Sequence, residues 1–243
     1  NAYHFTNKDL KIYGGFVGTE TMLSQRNAKI NTTILSGDIG IANDNSDNVY
    51  HILITKDLDN PTIIDGFTFE KGNGNGTGDI TYDGGQVQRN NSGAMYNASS
   101  EPTISNCIFK DNNASDEGGA IVNALSGPIF LICFFYNNSS DTRGGAIHNA
   151  AGVPTYTQCI FANNTAARGG ALFNDFAQTN IINCIFSKNE VTTSGAAIEN
   201  DASSAPTLYN TVFYGNKIGF STVNDISGDN INAASANNAS NGT

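Results

Sequence analysis

The side chains of this sequence that could do chemistry recur on a beat. Glu117, Arg143 and Arg168 each stand immediately before a glycine motif. If equivalent positions stack, the three form a column able to clamp a carboxylate or a sugar. The plainer reading is a surface ion pair between Glu117 and Arg143, worth at most about 1 kcal/mol. A second column holds Tyr96, Val122, His148, Phe173 and Glu199. Side chains this varied are expected to face solvent, or to offer a shallow, partly aromatic binding strip. Asp79, Tyr82, Asp83 and Arg89 fall in the Gly- and Asp-rich segment Gly72–Asn91, which exceeds what a turn needs. That segment is expected to protrude as a loop. With Tyr96, Arg143, His148, Arg168 and Phe173, these four residues are the candidate contacts for a ligand or glycan.

Catalysis is tested by what it would require. A polysaccharide lyase wants carboxylates clustered around Ca²⁺ beside a Lys or Arg base. A glycoside hydrolase wants two carboxyl groups about 5–5.5 or 6.5–9.5 Å apart. Acids at comparable repeat positions are few: Asp111 and Asp116–Glu117 in one repeat, Asp141 in the next, none over Ala162–Ala167. No N-T-D, D-D, G-H-G or R-I-K signature was found. We therefore assign no catalytic, cofactor-binding or metal residue. His4, His51 and His148 are far apart, and no second His or Cys stands at ligand spacing from His148. A net charge of -10 leaves no basic patch for phosphates, which argues against nucleic acid.

The cysteines obey the same beat, at 107, 133, 159 and 184. Stacked neighbours would lie within disulfide reach but with Cβ atoms pointing the same way, which suits the required dihedral poorly. Thr211 takes the position in the last copy, so buried reduced thiols are favoured over cross-links. Sequons at Asn97, Asn138 and elsewhere are expected from an Asn-, Ser- and Thr-rich composition rather than from glycosylation.

The elements that position these residues follow from the repeat. SGAMYN, GGAIVN, GGAIHN, GGALFN and the longer SGAAIEN place their second residue at Gly93, Gly119, Gly145, Gly170 and Gly195, in steps of 26, 26, 25 and 25. A companion motif repeats Phe at 109, 135, 161, 186 and 213, with Asn three residues later at 112, 138, 164, 189 and 216. The β-rich runs between Gly, Asn and Ser are too short for helices. A unit this small cannot bury a face alone, so it stacks on its neighbours about 4.8 Å away. The fold expected is an all-β, right-handed parallel β-helix, a pectate-lyase-like solenoid with coils of about 25 residues. Its Phe residues form a stack and the companion Asn residues a ladder. Asn60–Gly74 reads as a degenerate coil with Phe69 in the Phe column. The longest apolar run, Pro128–Tyr136, has the length of a buried strand and is far short of the roughly 18 residues of a membrane span.

The paired G-G-A-[ILV] and F-x-x-N motifs resemble the repeats of the chlamydial polymorphic membrane proteins and those of secreted β-helix proteins of Bacteroidetes-like bacteria. The segment Ile12–Gly40 is similar to the stretch that precedes the solenoid in the latter group. The resemblance implies a secreted or cell-surface protein, and for the chlamydial group a surface adhesin. We divide the chain into an N-terminal cap with irregular opening coils over 1–59, a regular solenoid over 60–224 and a polar segment over 225–243. That last segment is polar and offers no amphipathic helix to lie across an open coil. It predicts either further domains or head-to-tail association through the solenoid ends. The function expected is a non-catalytic adhesin or fibre-forming module that meets a host or matrix glycan or protein. The alternative is a carbohydrate-binding or polysaccharide-degrading β-helix.

Overall fold

The computed structural model describes residues 2–6, 10–58, 62–201, 203–219, 221–222, 225–227 and 239–240. Each repeat becomes one coil of four short strands, as in Ile121–Ala124, Ile129–Leu131, Phe134–Tyr136 and Ser139–Ser140. Equivalent strands of successive coils pair in parallel and build four sheets of eight, seven, eight and seven strands along one axis. The fourth sheet ends on an antiparallel turn-back at Ser221–Thr222. Among the described residues there is no α-helix, only a 3₁₀ turn at Leu23–Gln25. The chain is an all-β parallel β-helix.

Left-handed residues turn the corners. One coil bends at Gly118 (φ 63°), Leu125 (52°), Ile132 (54°) and Asn137 (56°). At the corner between the second and third sheets the other coils place Asn106, Gln158, Asn183 and Asn210. Asn tolerates this conformation better than most side chains, whereas β-branched Ile132 is an outlier. The double glycine has two separate causes. Gly118 supplies the positive φ, while a Cβ on Gly119 would meet the Gly145 carbonyl oxygen at 2.2 Å. The last copy shifts this register. Gly195, placed by sequence spacing on the second glycine, takes the role of the first: Gly169 N–H donates to Ser194 O, and Ala171 N–H to Ala197 O. A break in pairing between Ala166 and Arg168 absorbs the extra residue.

The core is built of columns. Phe69, Phe109, Phe135, Phe161, Phe186 and Phe213 stack face to face with centroids 4.6–5.2 Å apart. Phe130 and Tyr156 form a shorter stack at 5.0 Å that meets the first edge-on. The expected ladder runs from Asn112 to Asn216, with Nδ2 to Oδ1 distances of 2.9–3.0 Å. Each Nδ2 also donates to a Phe carbonyl one coil back, as Asn138 does to Phe109 O at 2.9 Å. A second ladder is present in the first sheet: Thr55, Asn97, Asn123, Asn149, Asn174 and Asn200, linked at 2.6–2.8 Å. Sequence reasoning treated this Asn as a motif marker only. The four thiols are free and buried, each facing a main-chain carbonyl one coil back, as Cys133 Sγ faces Ile104 O at 3.4 Å.

Two expectations change. Pro128–Tyr136 is not one buried strand. It breaks at left-handed Ile132 into two strands, burying Phe130, Cys133 and Phe135 and turning Leu131, Ile132, Phe134 and Tyr136 outward. The opening segment contributes Tyr3–Phe5, Lys11–Tyr13 and Thr33–Ser36 as regular members of the first three sheets. Phe69 stacks on Phe109, as its place in the degenerate coil predicts, while residues 60 and 61 of that coil lie outside the described residues. The expected open C-terminal end falls largely on 228–238 and 241–243, also outside the described residues.

Candidate functional site

The first sheet carries Tyr96, His148 and Phe173 on its outer side, and its neighbouring turn roofs them. Cα pairing puts Tyr96, Val122, His148, Phe173 and Glu199 in one column. The column does not face solvent as its variety predicts. Val122, His148 and Phe173 are each 2% exposed and Glu199 4%, with Tyr96 half-buried. The cause is the glycine turn, which folds back over the strand that follows it. A Cβ on Gly118 would lie 2.8 Å from Val122 Cγ2, and one on Gly195 2.5 Å from Glu199 Oε2. Glu117, Arg143 and Arg168 bridge in parallel along the edge of this roof.

Their charges are spent on each other and on the column. Arg143 Nη1 lies 3.3 Å from Glu117 Oε1, the ion pair expected from sequence. Glu117 Oε2 also lies 2.9 Å from His148 Nδ1. Burial pushes the Glu117 carboxyl up, but the imidazole and the Arg143 guanidinium outweigh it and leave it below the ordinary carboxylate range. Arg168 turns the other way and donates to Glu199 Oε1 at 2.7 Å. Both guanidinium groups sit over the Phe173 ring, at 5.1 and 5.0 Å from its centroid, within cation–π range. His148 meets the same ring edge-on.

At the margin of this network lies a pair that sequence reasoning missed. Asp175 and Asp201 follow the ladder residues Asn174 and Asn200 in adjacent coils. Arg143 reaches Asp175 Oδ2 at 3.8 Å. Burial and the neighbouring Asp201 carboxyl push Asp175 up. Asp201 is pushed up by burial but held down by Ser204 and by the Phe176 N–H, which donates to its Oδ1 at 3.1 Å. The repeated Asn-Asp dipeptide was the signal available. It lies outside the two motif lines.

Asp79, Tyr82, Asp83 and Arg89 do belong to a protrusion, an antiparallel hairpin of Asp79–Tyr82 and Gly85–Gln88. Asp83 and Gly84 turn it with φ 44° and 73°, the positive pair that a two-residue hairpin turn requires. The hairpin leans on the first coils. Tyr82 packs edge-on against His4, Lys56 reaches Asp83 Oδ2 at 3.8 Å, and Arg89 lies over the Tyr50 ring. Asp79 opens the first hairpin strand and Asp83 lies in the turn beyond its far end, roughly 13 Å away, so they do not form a carboxylate pair with Arg89. Among the described residues no group of three His, Cys, Asp or Glu is placed to hold a metal ion. Two sequons, at Asn97 and Asn138, are fully buried in the ladders and closed to glycosylation.

Residues 106–124, 132–150 and 158–175 match the Chlamydia polymorphic membrane protein repeat. Comparisons with curated proteins and with solved structures give no match. Each matched segment starts at the left-handed corner before the third sheet and ends on the first-sheet strand, so it takes in both motifs and both Asn ladders. No helix among the described residues is long and apolar enough to cross a membrane. The chain is a parallel β-helix repeat protein, and three of its coils carry segments similar to the Chlamydia polymorphic membrane protein repeat.

Proposed function

We infer that this solenoid is a non-catalytic module of a cell-surface or extracellular protein, adhering to a host or matrix glycan or protein. The observation that carries the reading is where the reactive side chains go. Glu117, Arg143, His148, Arg168 and Glu199 pair with one another beneath and along the glycine roof. The recurrent Phe, Asn, Gly and Cys residues all serve stacking. Of the candidate residues, those left open to a ligand are Asp79 and Asp83 of the hairpin, with Tyr82 beside them, and the half-exposed edges of Arg143 and Arg168. The matched repeats bear the name of a polymorphic membrane protein, which supports surface placement. Incubation with pectin, polygalacturonate or alginate, with or without Ca²⁺, should release no unsaturated or reducing ends. Sustained release would overturn the reading.

A second reading has one specific support. Asp175 and Asp201 occupy neighbouring coils, about 4.8 Å apart along the axis, close to the spacing of a retaining glycosidase. Their surroundings push the two carboxyl groups in opposite directions, as an acid and a nucleophile would need. Against it, Asp201 Oδ1 already accepts from Phe176 N, Ser203 N and Ser204 Oγ, the work of a turn-capping residue. Activity abolished by Asp175→Asn would establish the second reading in place of the first.

A further inference from the structure

The corner between the second and third sheets carries no charge over four successive coils. Its outer turns read LICFFY at Leu131–Tyr136, TQCIFA at Thr157–Ala162, INCIFS at Ile182–Ser187 and YNTVFY at Tyr209–Tyr214. In each, the second-sheet end, the corner and the third-sheet strand follow in order. Only the Cys or Thr and the central Phe point inward, so the remaining side chains line the surface. Ile132, Phe134, Ile185, Tyr209, Val212 and Tyr214 are each two-fifths or more exposed. Within it, Phe134, Ile160, Ile185 and Val212 stand directly above one another. On a chain of net charge -10 this strip is a marked departure.

The chain itself covers only the beginning of the strip. Leu23 and Ala28 of the opening segment line, with Ile108, Ile132 and Phe134, a cleft of about 410 Å³. Beyond Phe134 nothing in the described chain lies over it. An uncharged apolar patch of this extent marks an interaction surface, since charged residues are depleted at interface cores. Exposed apolar side chain on the strip amounts to on the order of 600 Å². With the intervening Gln and Asn residues it approaches the roughly 800 Å² per partner of a stable interface.

We propose that the strip from Leu131 to Tyr214 is the contact between two copies of this chain, lying side by side and antiparallel. Two observations choose a second copy over another partner. A column repeating at one spacing reads the same in both directions, so a two-fold axis across it brings Phe134 of each copy to Val212 of the other and Ile160 to Ile185. Such an interface is self-complementary. The strip is also the face on which two chains of charge -10 can approach without bringing like charges together. This lateral contact is independent of the adhesive reading and of any contact through the solenoid ends.

The test is sedimentation equilibrium of the 25.6 kDa chain over a range of concentrations. The expected result is a mass that rises with concentration to twice that of the chain. Ile185→Lys and, separately, Phe134→Lys should each weaken dimerisation at least ten-fold. Thr165→Lys, on the exposed side of the fourth sheet, should leave it unchanged. Unaltered circular dichroism shows that each variant is folded. If one strip variant does not fold, the other decides. Mixing Ile160→Cys with Ile185→Cys should give an oxidised heterodimer, with neither alone forming one. A wild type monomeric at every concentration, or folded strip variants that dimerise as wild type does, would overturn the proposal.

Discussion

Arg168 and Glu199 stand in adjacent coils with Nη2 and Oε1 2.7 Å apart, and among the described residues that ion pair is what compensates a carboxylate that is almost fully buried. Among the described residues Glu199 Oε2 has no hydrogen-bond partner. Removing the guanidinium leaves a charge that must be ionised without a partner or neutralised. Arg168→Ala should therefore cost about 1–3 kcal/mol. The more exposed pair of Arg143 with Glu117 predicts a loss below about 1 kcal/mol for Arg143→Ala. Urea denaturation of the two variants measures the difference. Equal losses would show that Glu199 does not depend on Arg168.

Ile132 occupies a corner where the other coils place Asn106, Gln158, Asn183 and Asn210. A β-branched residue in the left-handed region is strained by about 1–3 kcal/mol. Its side chain is largely exposed, so little packing is lost on replacement. Ile132→Asn should stabilise the solenoid by about 1 kcal/mol. A lowered thermal midpoint would mean that the corner is relaxed in the native chain.

His51 makes stability depend on pH. Its ring is buried, and Nδ1 donates to Ser92 O at 2.7 Å. Desolvation pushes its pKa down to about 4, although the Ser92 carbonyl opposes the shift. The unfolded chain takes up this proton near pH 6.5, while the folded chain does so only near 4. Stability is therefore intact above about pH 6.5 and falls between there and about 4, by about 3 kcal/mol. In denaturation curves at pH 7.5 and 4.5, His51→Gln should lose less stability on acidification than wild type does. Equal losses would show that His51 does not carry the dependence.

The thiol column offers a chemical test. Burial pushes Cys107 up to about 12 and raises Cys159, and the adjacent Cys159 together with burial raises Cys184. Native protein should resist a thiol reagent, and denaturation without reductant should expose four reactive groups. Labelling that appears only after reduction would establish cross-links.

The repeat was legible because stacking demands it. A Phe or Asn that must meet its own kind one coil away has to recur at the coil length, and both columns are in place. The hairpin was legible too, in Asp83–Gly84, although only a protruding loop was inferred. The burial of His148, Phe173 and Glu199 was not legible. Variety along a column speaks of absent self-stacking, not of exposure, and here the glycine turn just before each strand folds back over it. The ladder through Asn97, Asn123 and Asn149 was missed for a related reason. Its Asn is as regular as the other, but only the coil's cross-section shows that it points inward.

The central claim is that the solenoid binds without catalysing. Its most direct measurement applies the purified chain to immobilised extracellular-matrix glycans and glycoproteins, recording retained protein and released sugar ends from the same wells. The account predicts saturable retention, weakened by substitutions at Asp79, Tyr82 and Asp83, with no ends released. Release that Asp175→Asn abolishes, or the absence of any retention, would contradict it.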